Sequence, residues 1–328
     1  MPGGKERELR RRIGSIQSTK KITRAMELIA ATRVVKAMQR ANAARPYARL
    51  ITSVIEDLAA GGAEVDHPLL RQADEIRNVG FIIITGDRGL AGAYNTSVIR
   101  TAERQVMAHV SEGKGYSLCC VGRKSASYFR FRNYRIDHAM SGFSDNPSYD
   151  DARRIAETVS ESFLSEAVDQ VELIYTEFVS MGTQRVVVRR FLPLVDTEMM
   201  AAEGSGTGRE GSFEFEPSPE AVLEALLPRY TEARLYGALL DAAASEHANR
   251  QRAMKAATDN AEELITKLSR AMNQARQDAI TTEIMEIVGG AEALSGGDAS
   301  DVEAALASML TGTDASGLAP AGASGRPA

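Results

Sequence analysis

The stretch of this sequence best suited to chemistry is Gly86-Asp87-Arg88-Gly89-Leu90-Ala91-Gly92-Ala93, between a strand-like run ending at Thr85 and a helix-like run that follows. In α/β proteins a glycine-rich turn at that place gathers phosphate, because backbone N–H groups and a helix N-terminus converge there. The spacing argues against it. The glycines fall at 86, 89 and 92, which fits neither GxGxxG nor GxxxxGK[ST], and no Lys follows within the turn. A tight strand-to-helix connection, with Asp87 and Arg88 hydrogen-bonding locally, suits the residues better. His67, His109, His138 and His247 fall in unrelated segments without an HxxxH pair, so metal ligation has little support. Cys119 and Cys120 are adjacent in an apolar run with no second pair to complete a zinc site, and read as small buried hydrophobes. No Ser/His/Asp or Cys/His arrangement presents itself. The expectation is no catalytic residue, no metal and no cofactor.

The elements around that turn are more informative. Of the 328 residues, 44% are hydrophobic, 25% charged and 5% aromatic, which is enough for a core and rules out global disorder. The longest apolar run, Val79-Gly80-Phe81-Ile82-Ile83-Ile84, is far short of the roughly 20 residues that cross a bilayer. Lys5 to Arg12 is charged and no apolar h-region follows, so no signal peptide is expected and the chain is expected to stay in a cytosol-like compartment.

Prolines leave Gly3 to Arg45 and Arg229 to Ala319 clear, and the only glycine is Gly14 across 5–60 and Gly237 across 229–288. Two long helices follow, with Gly61-Gly62 and Gly289-Gly290 as stops and Pro228 dividing a short helix from the second long one. At 1.5 Å per residue they extend roughly 80 and 90 Å. A globule of this length has a radius of gyration of only about 20 Å, so the helices are expected to protrude.

A protruding helix needs cover for its apolar stripe. Leu9, Ile13, Ile16, Thr19, Thr23, Met26, Ala30, Val34, Ala37, Ala41 and Ala44 are spaced by threes and fours, as are Met254, Ala257, Ala261, Leu264, Leu268, Met272, Ala275 and Ala279. Such steps mark a coiled-coil seam, and frequent Ala allows close helix contact. Two stripes at opposite ends of one chain predict an intramolecular antiparallel pair.

Between them the period changes. Val79 to Thr85, Tyr116 to Val121, Val171 to Phe178 and Arg185 to Arg190 read as strands, the last two joined as a hairpin through Met181-Gly182-Thr183. Helical patterns fill Tyr94 to Val110, Arg123 to Arg130 and Tyr149 to Ala167. That order implies a parallel sheet with one antiparallel edge. The predicted fold is α/β: a long antiparallel coiled coil of N- and C-terminal helices plus a central Rossmann-like α/β domain. Its parts are an N-terminal helix over 5–60, the α/β domain over 77–195, a mobile loop and short strand (Phe213 to Glu216) over 196–217, a C-terminal helix over 218–290 with Ser218 as N-cap and Pro219 at N1, and a flexible tail over 295–328.

Charge adds a partner. Residues 1–49 carry thirteen Lys and Arg against three Glu, a local +10 in a chain of net charge −5. Nucleic acid, a membrane surface and an acidic protein surface are the candidates, beside a merely solvated face. The stretch lacks the interleaved aromatics of a nucleic-acid binder, and its apolar face is too Ala-rich to insert firmly in a bilayer. Charge alone leaves the choice open.

Several motifs resemble one family. Lys20-Lys21-Ile22-Thr23-Arg24-Ala25-Met26-Glu27-Leu28-Ile29-Ala30-Ala31-Thr32-Arg33, Ile84-Thr85-Gly86-Asp87-Arg88-Gly89-Leu90, Ala244-Ser245-Glu246-His247 through Arg250, Ala253-Met254-Lys255-Ala256-Ala257-Thr258-Asp259-Asn260-Ala261, and Asn273-Gln274-Ala275-Arg276-Gln277 through Ile280-Thr281-Thr282-Glu283 to Glu286-Ile287-Val288 are similar, in order, to the gamma subunit of the rotary F-type ATP synthase. The likeness runs from about residue 5 to 294. It implies a central stalk that catalyses nothing itself. Its coiled coil stands in the alpha3-beta3 hexamer and its α/β foot sits with epsilon on the membrane c-ring, so that proton-driven rotation carries the coil past each beta subunit.

Carried over by position, Arg24 and Met26 match the contact with an acidic beta-subunit loop, and Arg250 matches a second position in that region. Arg276 and Gln277 match a polar catch on a beta-subunit loop. Phe213, Phe215 and Glu216 match the segment meeting the c-ring and epsilon. Gly86 and Ala91 stand where the family often has Ser and Cys, and the tail after Ala293 extends past the usual end. With no chloroplast-type insertion or transit peptide, the resemblance implies a bacterial protein, peripheral on the cytoplasmic side of the cell membrane and touching the membrane only through the complex. A nucleotide-binding α/β protein and a basic coiled-coil nucleic-acid binder are the alternatives from the residues alone.

Overall fold

The structure, a computed structural model, describes residues 3–60, 67–194, 216 and 218–295. Helix α1 covers Gly3–Ala60 and helix α5 covers Pro219–Ser295; between them lie a 3-10 turn (Pro68–Leu70), β1 (Asn78–Ile84), α2 (Tyr94–Ser111), β2 (Gly115–Val121), α3 (Arg123–Phe131), β3 (His138–Met140), α4 (Tyr149–Leu164), β4 (Gln170–Phe178) and β5 (Gln184–Leu192). The chain divides into two compact units, Lys20–Asn260 and Met1–Thr19 with Ala261–Ala328. The expected loop over 196–217 and the tail over 295–328 lie outside the described residues apart from Glu216 and Ser295.

Within Lys20–Asn260 the five strands lie in the order β3-β2-β1-β4-β5. β1 is parallel to β2 and β4, β2 is parallel to β3, and β4 and β5 form the antiparallel edge. This is the expected Rossmann-like sheet. The hairpin closes where Ser180 N–H donates to Thr183 O at 2.9 Å and Thr183 N–H donates back to Ser180 O at 3.2 Å. Both faces of β1 are covered, so its side chains alternate between two apolar layers. Val79, Phe81 and Ile83 pack under Val98, Ala102 and Val106 of α2 and Phe129 of α3, while Ile82 and Ile84 face Ile155 and Phe163 of α4, Leu227, Leu235 and Leu239 of α5, and Ile55 of α1. Each such fully buried side chain contributes about 1.5–3 kcal/mol relative to exposure. The Ser148 capping box with Asp151 starts α4. Ser218 Oγ accepts Ala221 N–H at 3.2 Å at the start of α5, as expected.

Four details depart from the sequence reading. β3 has only three residues, too few to show a period. Pro228 lies inside α5, as Pro46 lies inside α1. Pro228 is exposed, so the carbonyl it frees is on the wet side, while buried Leu227, Tyr230 and Thr231 hold the helix by packing. α5 also continues through Gly289-Gly290 to Ser295, since Gly lowers helix propensity by about 1 kcal/mol without terminating a helix that needs no left-handed turn. Lastly, one seam position on each helix departs from the expected stripe, whose other positions within Lys20–Asn260 are buried or half-buried as expected. On α1 the buried positions are Thr23, Glu27, Ala30, Val34 and Ala37, with Met26 half-buried beside them; on α5 Thr258, not Ala257, is buried between Met254 and Ala261.

Cross-links within this unit give the direction of the pair. Thr23 meets Thr258 at 2.8 Å, Arg33 and Arg250 converge on Asp145 at 2.7 and 3.9 Å, and Arg45 faces Asp241 electrostatically. Numbers rise along α1 as they fall along α5, so the helices are antiparallel. In the other unit Ile13 and Ala261 are buried, and Leu9, Ile16, Leu268, Met272 and Ala275 are half-buried, as a seam requires, whereas Thr19 and Leu264, also expected on it, are exposed. Ile280, Ile284, Met285 and Ile287 are exposed.

Candidate functional site

The turn after β1 sits at the switch point of the sheet, where β2 and β4 diverge from β1 and where open α/β folds bind ligands. Here its polar groups face inward onto protein. Asp87 Oδ1 accepts Arg123 N–H at 3.0 Å, and Asp87 Oδ2 accepts Gly142 N–H at 2.8 Å and Ser144 N–H at 3.2 Å. Gly86 N–H donates to Asn95 Oδ1 at 2.8 Å, and Asp87 N–H donates to Ser144 Oγ at 2.9 Å. The first turn of α3 thus already has an anion, the protein's own carboxylate, where a phosphate would otherwise go. The expectation that Asp87 would bond locally is not met, since its partners are Arg123, Gly142 and Ser144 on other segments. The Arg88 side chain points to Asp145, at 3.5 Å, and only its carbonyl bonds locally, accepting Asn95 Nδ2–H at 3.3 Å.

A second carboxylate closes the same place from α5. Glu246 is 1% exposed, and its Oε1 accepts Arg250 Nη2 at 2.5 Å. A Cβ on Gly86 would stand 2.8 Å from the Glu246 carboxyl carbon. Burial pushes the Glu246 carboxyl up, and the Arg250 guanidinium opposes that shift. Arg250 also donates to Gly89 O at 3.3 Å. Burial lowers His247, which favours the neutral ring. With its proton on Nε2 the ring donates to Asp145 O at 3.1 Å and leaves Nδ1 for Arg250 Nη1 at 3.4 Å. Asp145, Glu246, His247 and Arg250 therefore lock α5 to the β1 turn. Burial likewise pushes Cys119 up to about 12 and Cys120 up to about 11, so both stay thiols. Among the described residues no group of three His, Cys, Asp or Glu could hold a metal ion.

The partner-contact residues expected from the sequence are scattered. Arg24 is 59% exposed at its side chain and donates to both Glu27 oxygens, at 3.0 and 2.9 Å. Met26 is half-buried two residues further on. Arg250 is 8% exposed, with its guanidinium committed to Glu246, Gly89 and His247, so it faces the interior where the sequence reading put it on a contact surface. Arg276 and Gln277 are neighbours on α5 and both exposed. Glu216 is exposed, while Phe213 and Phe215 lie outside the described residues. The sequence reading did not bring Asp87, Asp145 and buried Glu246 together. Glu246-His247 and Arg250 share one helix face by their spacing, but nothing in sequence ties them to Asp145.

A family model described as ATP synthase matches residues 5–294. The ATP synthase gamma chain of Frankia casuarinae is 52% identical over 298 residues, covering 90% of this chain and 99% of that one. Its counterpart in Kineococcus radiotolerans is 49% identical over 296 residues, 89% of this chain and 97% of the relative. Among solved structures, a chain of the Euglena gracilis mitochondrial ATP synthase OSCP/F1/c-ring assembly has a TM-score of 0.60 at 16% identity, covering 96% of this chain and 99% of that chain. A chain of the Tetrahymena thermophila mitochondrial ATP synthase central stalk and c-ring has a TM-score of 0.54 at 24% identity, covering 72% of this chain and 99% of that chain. At those identities the structural likeness is one of fold.

Proposed function

The chain belongs to the ATP synthase gamma-chain family, and from that membership we propose that it works as the non-catalytic central stalk of an F1Fo enzyme, coupling c-ring rotation to the alpha3-beta3 hexamer. The observation that carries this reading is the family match along residues 5–294 together with a glycine-rich turn filled by the protein's own carboxylates. Two antiparallel helices have no threefold axis, so three equivalent beta subunits around them meet three different faces. Differential contact free energy alone then biases each toward a different conformation. Exposed Ile280, Ile284, Met285 and Ile287 suit contact with an apolar sleeve.

Arg24 and Met26 are the positions proposed to meet an acidic beta-subunit loop, and Arg276 with Gln277 the polar catch. Glu216, with Phe213 and Phe215, is proposed to meet epsilon and the c-ring. Arg250 is reassigned to positioning, since its guanidinium is committed inside the foot. The protein is proposed to sit peripherally on the cytoplasmic face of a bacterial membrane through this complex; among the described residues no helix is long and apolar enough to cross one. The deciding experiment is reconstitution with purified alpha and beta subunits. A stable ATPase is expected, in which the double substitution Arg276→Ala, Gln277→Ala lowers coupled turnover several-fold. Failure to assemble would overturn the proposal.

A further inference from the structure

A cavity of about 670 Å³ lies between α1, α5 and strands β4 and β5, all within Lys20–Asn260. We propose that it binds an organic anion with a flat apolar body, an aryl carboxylate or aryl sulfonate, whose charged head is held by Arg45 and Arg189.

The volume falls inside the roughly 300–1,000 Å³ typical of small-molecule sites. Its shape follows from missing side chains. Ala41, Ala44 and Ala48 form one face of α1, and Gly237 lies opposite on α5. A Cβ added at Gly237 would meet nothing within 4 Å. Packing therefore does not require glycine there, although glycine lowers the propensity of a long helix. Its structural effect is to leave the cavity open. Tyr175 and Tyr230, each 5% exposed, line the cavity, with the Arg234 guanidinium 5.6 Å over the Tyr230 ring, and an aromatic lining suits a planar apolar body.

The polar groups choose the sign of the ligand. Arg45, Arg189 and Arg234 line the cavity against one carboxylate, Asp241. Arg189 shares Glu177 with Arg185. Among the described residues Arg45 makes no hydrogen bond or close ion pair, its electrostatic partner being Asp241, which itself accepts no hydrogen bond among them. Arg45 and Arg189 are both exposed, so their charge acts on the open side of the cavity, where it draws an anion, and guanidinium groups bind carboxylate and sulfonate with directional, charge-assisted hydrogen bonds. The groups facing Asp241 are Arg45 from α1, Glu177 from β4 and Arg189 from β5, and burial pushes its carboxyl up to about 6. Once protonated it adds a donor and removes the repulsion, so anion affinity rises as pH falls.

The test is fluorescence titration of the full-length chain with anilinonaphthalene sulfonate, competed by naphthoate and, separately, by naphthylmethylammonium. A single saturable site is expected, displaced by the carboxylate and not by the ammonium ion. Arg45→Ala should weaken it about tenfold, and Gly237→Leu, which fills the cavity, should abolish it while helicity and melting are unchanged or raised. Affinity should rise several-fold from about pH 8 to pH 5.5, and Asp241→Asn should flatten that slope. Unchanged affinity in Arg45→Ala and Gly237→Leu, or displacement by the ammonium ion in preference, would overturn the proposal. Should Gly237→Leu fail to fold, Arg45→Ala and the competition arm decide it.

Discussion

Gly86 and Glu246 fit together only because Gly86 has no side chain: a Cβ there would lie 2.8 Å from the Glu246 carboxyl carbon and from Oε1, and 2.9 Å from Oε2. The carboxylate cannot simply swing away, since it is buried and paired with Arg250 at 2.5 Å. Gly86→Ala is therefore expected to lower the stability of the chain by about 1–3 kcal/mol, the usual cost of overpacking a closed site. In a Glu246→Ala background the same substitution should cost under about 0.5 kcal/mol, because the clashing atoms are gone. Urea unfolding of the four proteins checks this, and equal costs in the two backgrounds would refute the contact.

Arg250 makes its contacts within the foot. Its side chain is 10% exposed and that of Glu246 1%. Arg250→Ala leaves a buried carboxylate without its cation, which costs about 3–5 kcal/mol in comparable sites. The isolated chain should accordingly melt well below the parent, and Arg250→Ala combined with Glu246→Ala should lose less than the two single losses added. A residue acting only as a partner contact would leave the isolated chain's melting temperature where it was.

Why the sequence shows some of this and not the rest is physical. Val79 to Ile84 is legible because a strand covered on both faces must be apolar at every position. The helix pair is legible because breakers are absent and the three-and-four spacing persists. One seam position on each helix is not. Glu27 and Thr258 take buried positions that an apolar-only reading gives to Met26 and Ala257, because Glu27 is paired with Arg24 and Thr258 meets Thr23. Propensity also misleads at Pro228, where tertiary packing outweighs a local breaker. The docking of His247 and Arg250 onto Asp145 and Gly89 depends on contacts more than one hundred residues apart, and no local pattern encodes them.

Cys119 and Cys120, buried in β2, have thiols pushed up to about 12 and about 11, chiefly by burial. Thiolate is the reactive form, and at pH 8 less than about one part in a hundred is present at such values. Both should resist a disulfide-exchange reagent in the native chain and react fully in denaturant, giving two equivalents per chain only after unfolding. Rapid labelling of the native protein would place at least one thiol outside the core.

Asp241 links stability to pH in the opposite sense to an ion-paired carboxylate. Burial raises it from the model-peptide value of 3.8 to about 6, with Arg45 the first opposing influence. The folded state thus binds a proton more tightly than the unfolded state does. Stability from this group is fully present below the unfolded value and is lost as pH rises through the folded one, in the window from about 4 to 6. Asp241→Asn removes the titration. It should stabilise the chain by on the order of 1–3 kcal/mol at pH 7 and by almost nothing below about pH 4. Melting curves of the two proteins across that range measure the difference, and a gain that did not grow with pH would show that Asp241 titrates as an ordinary solvated carboxylate.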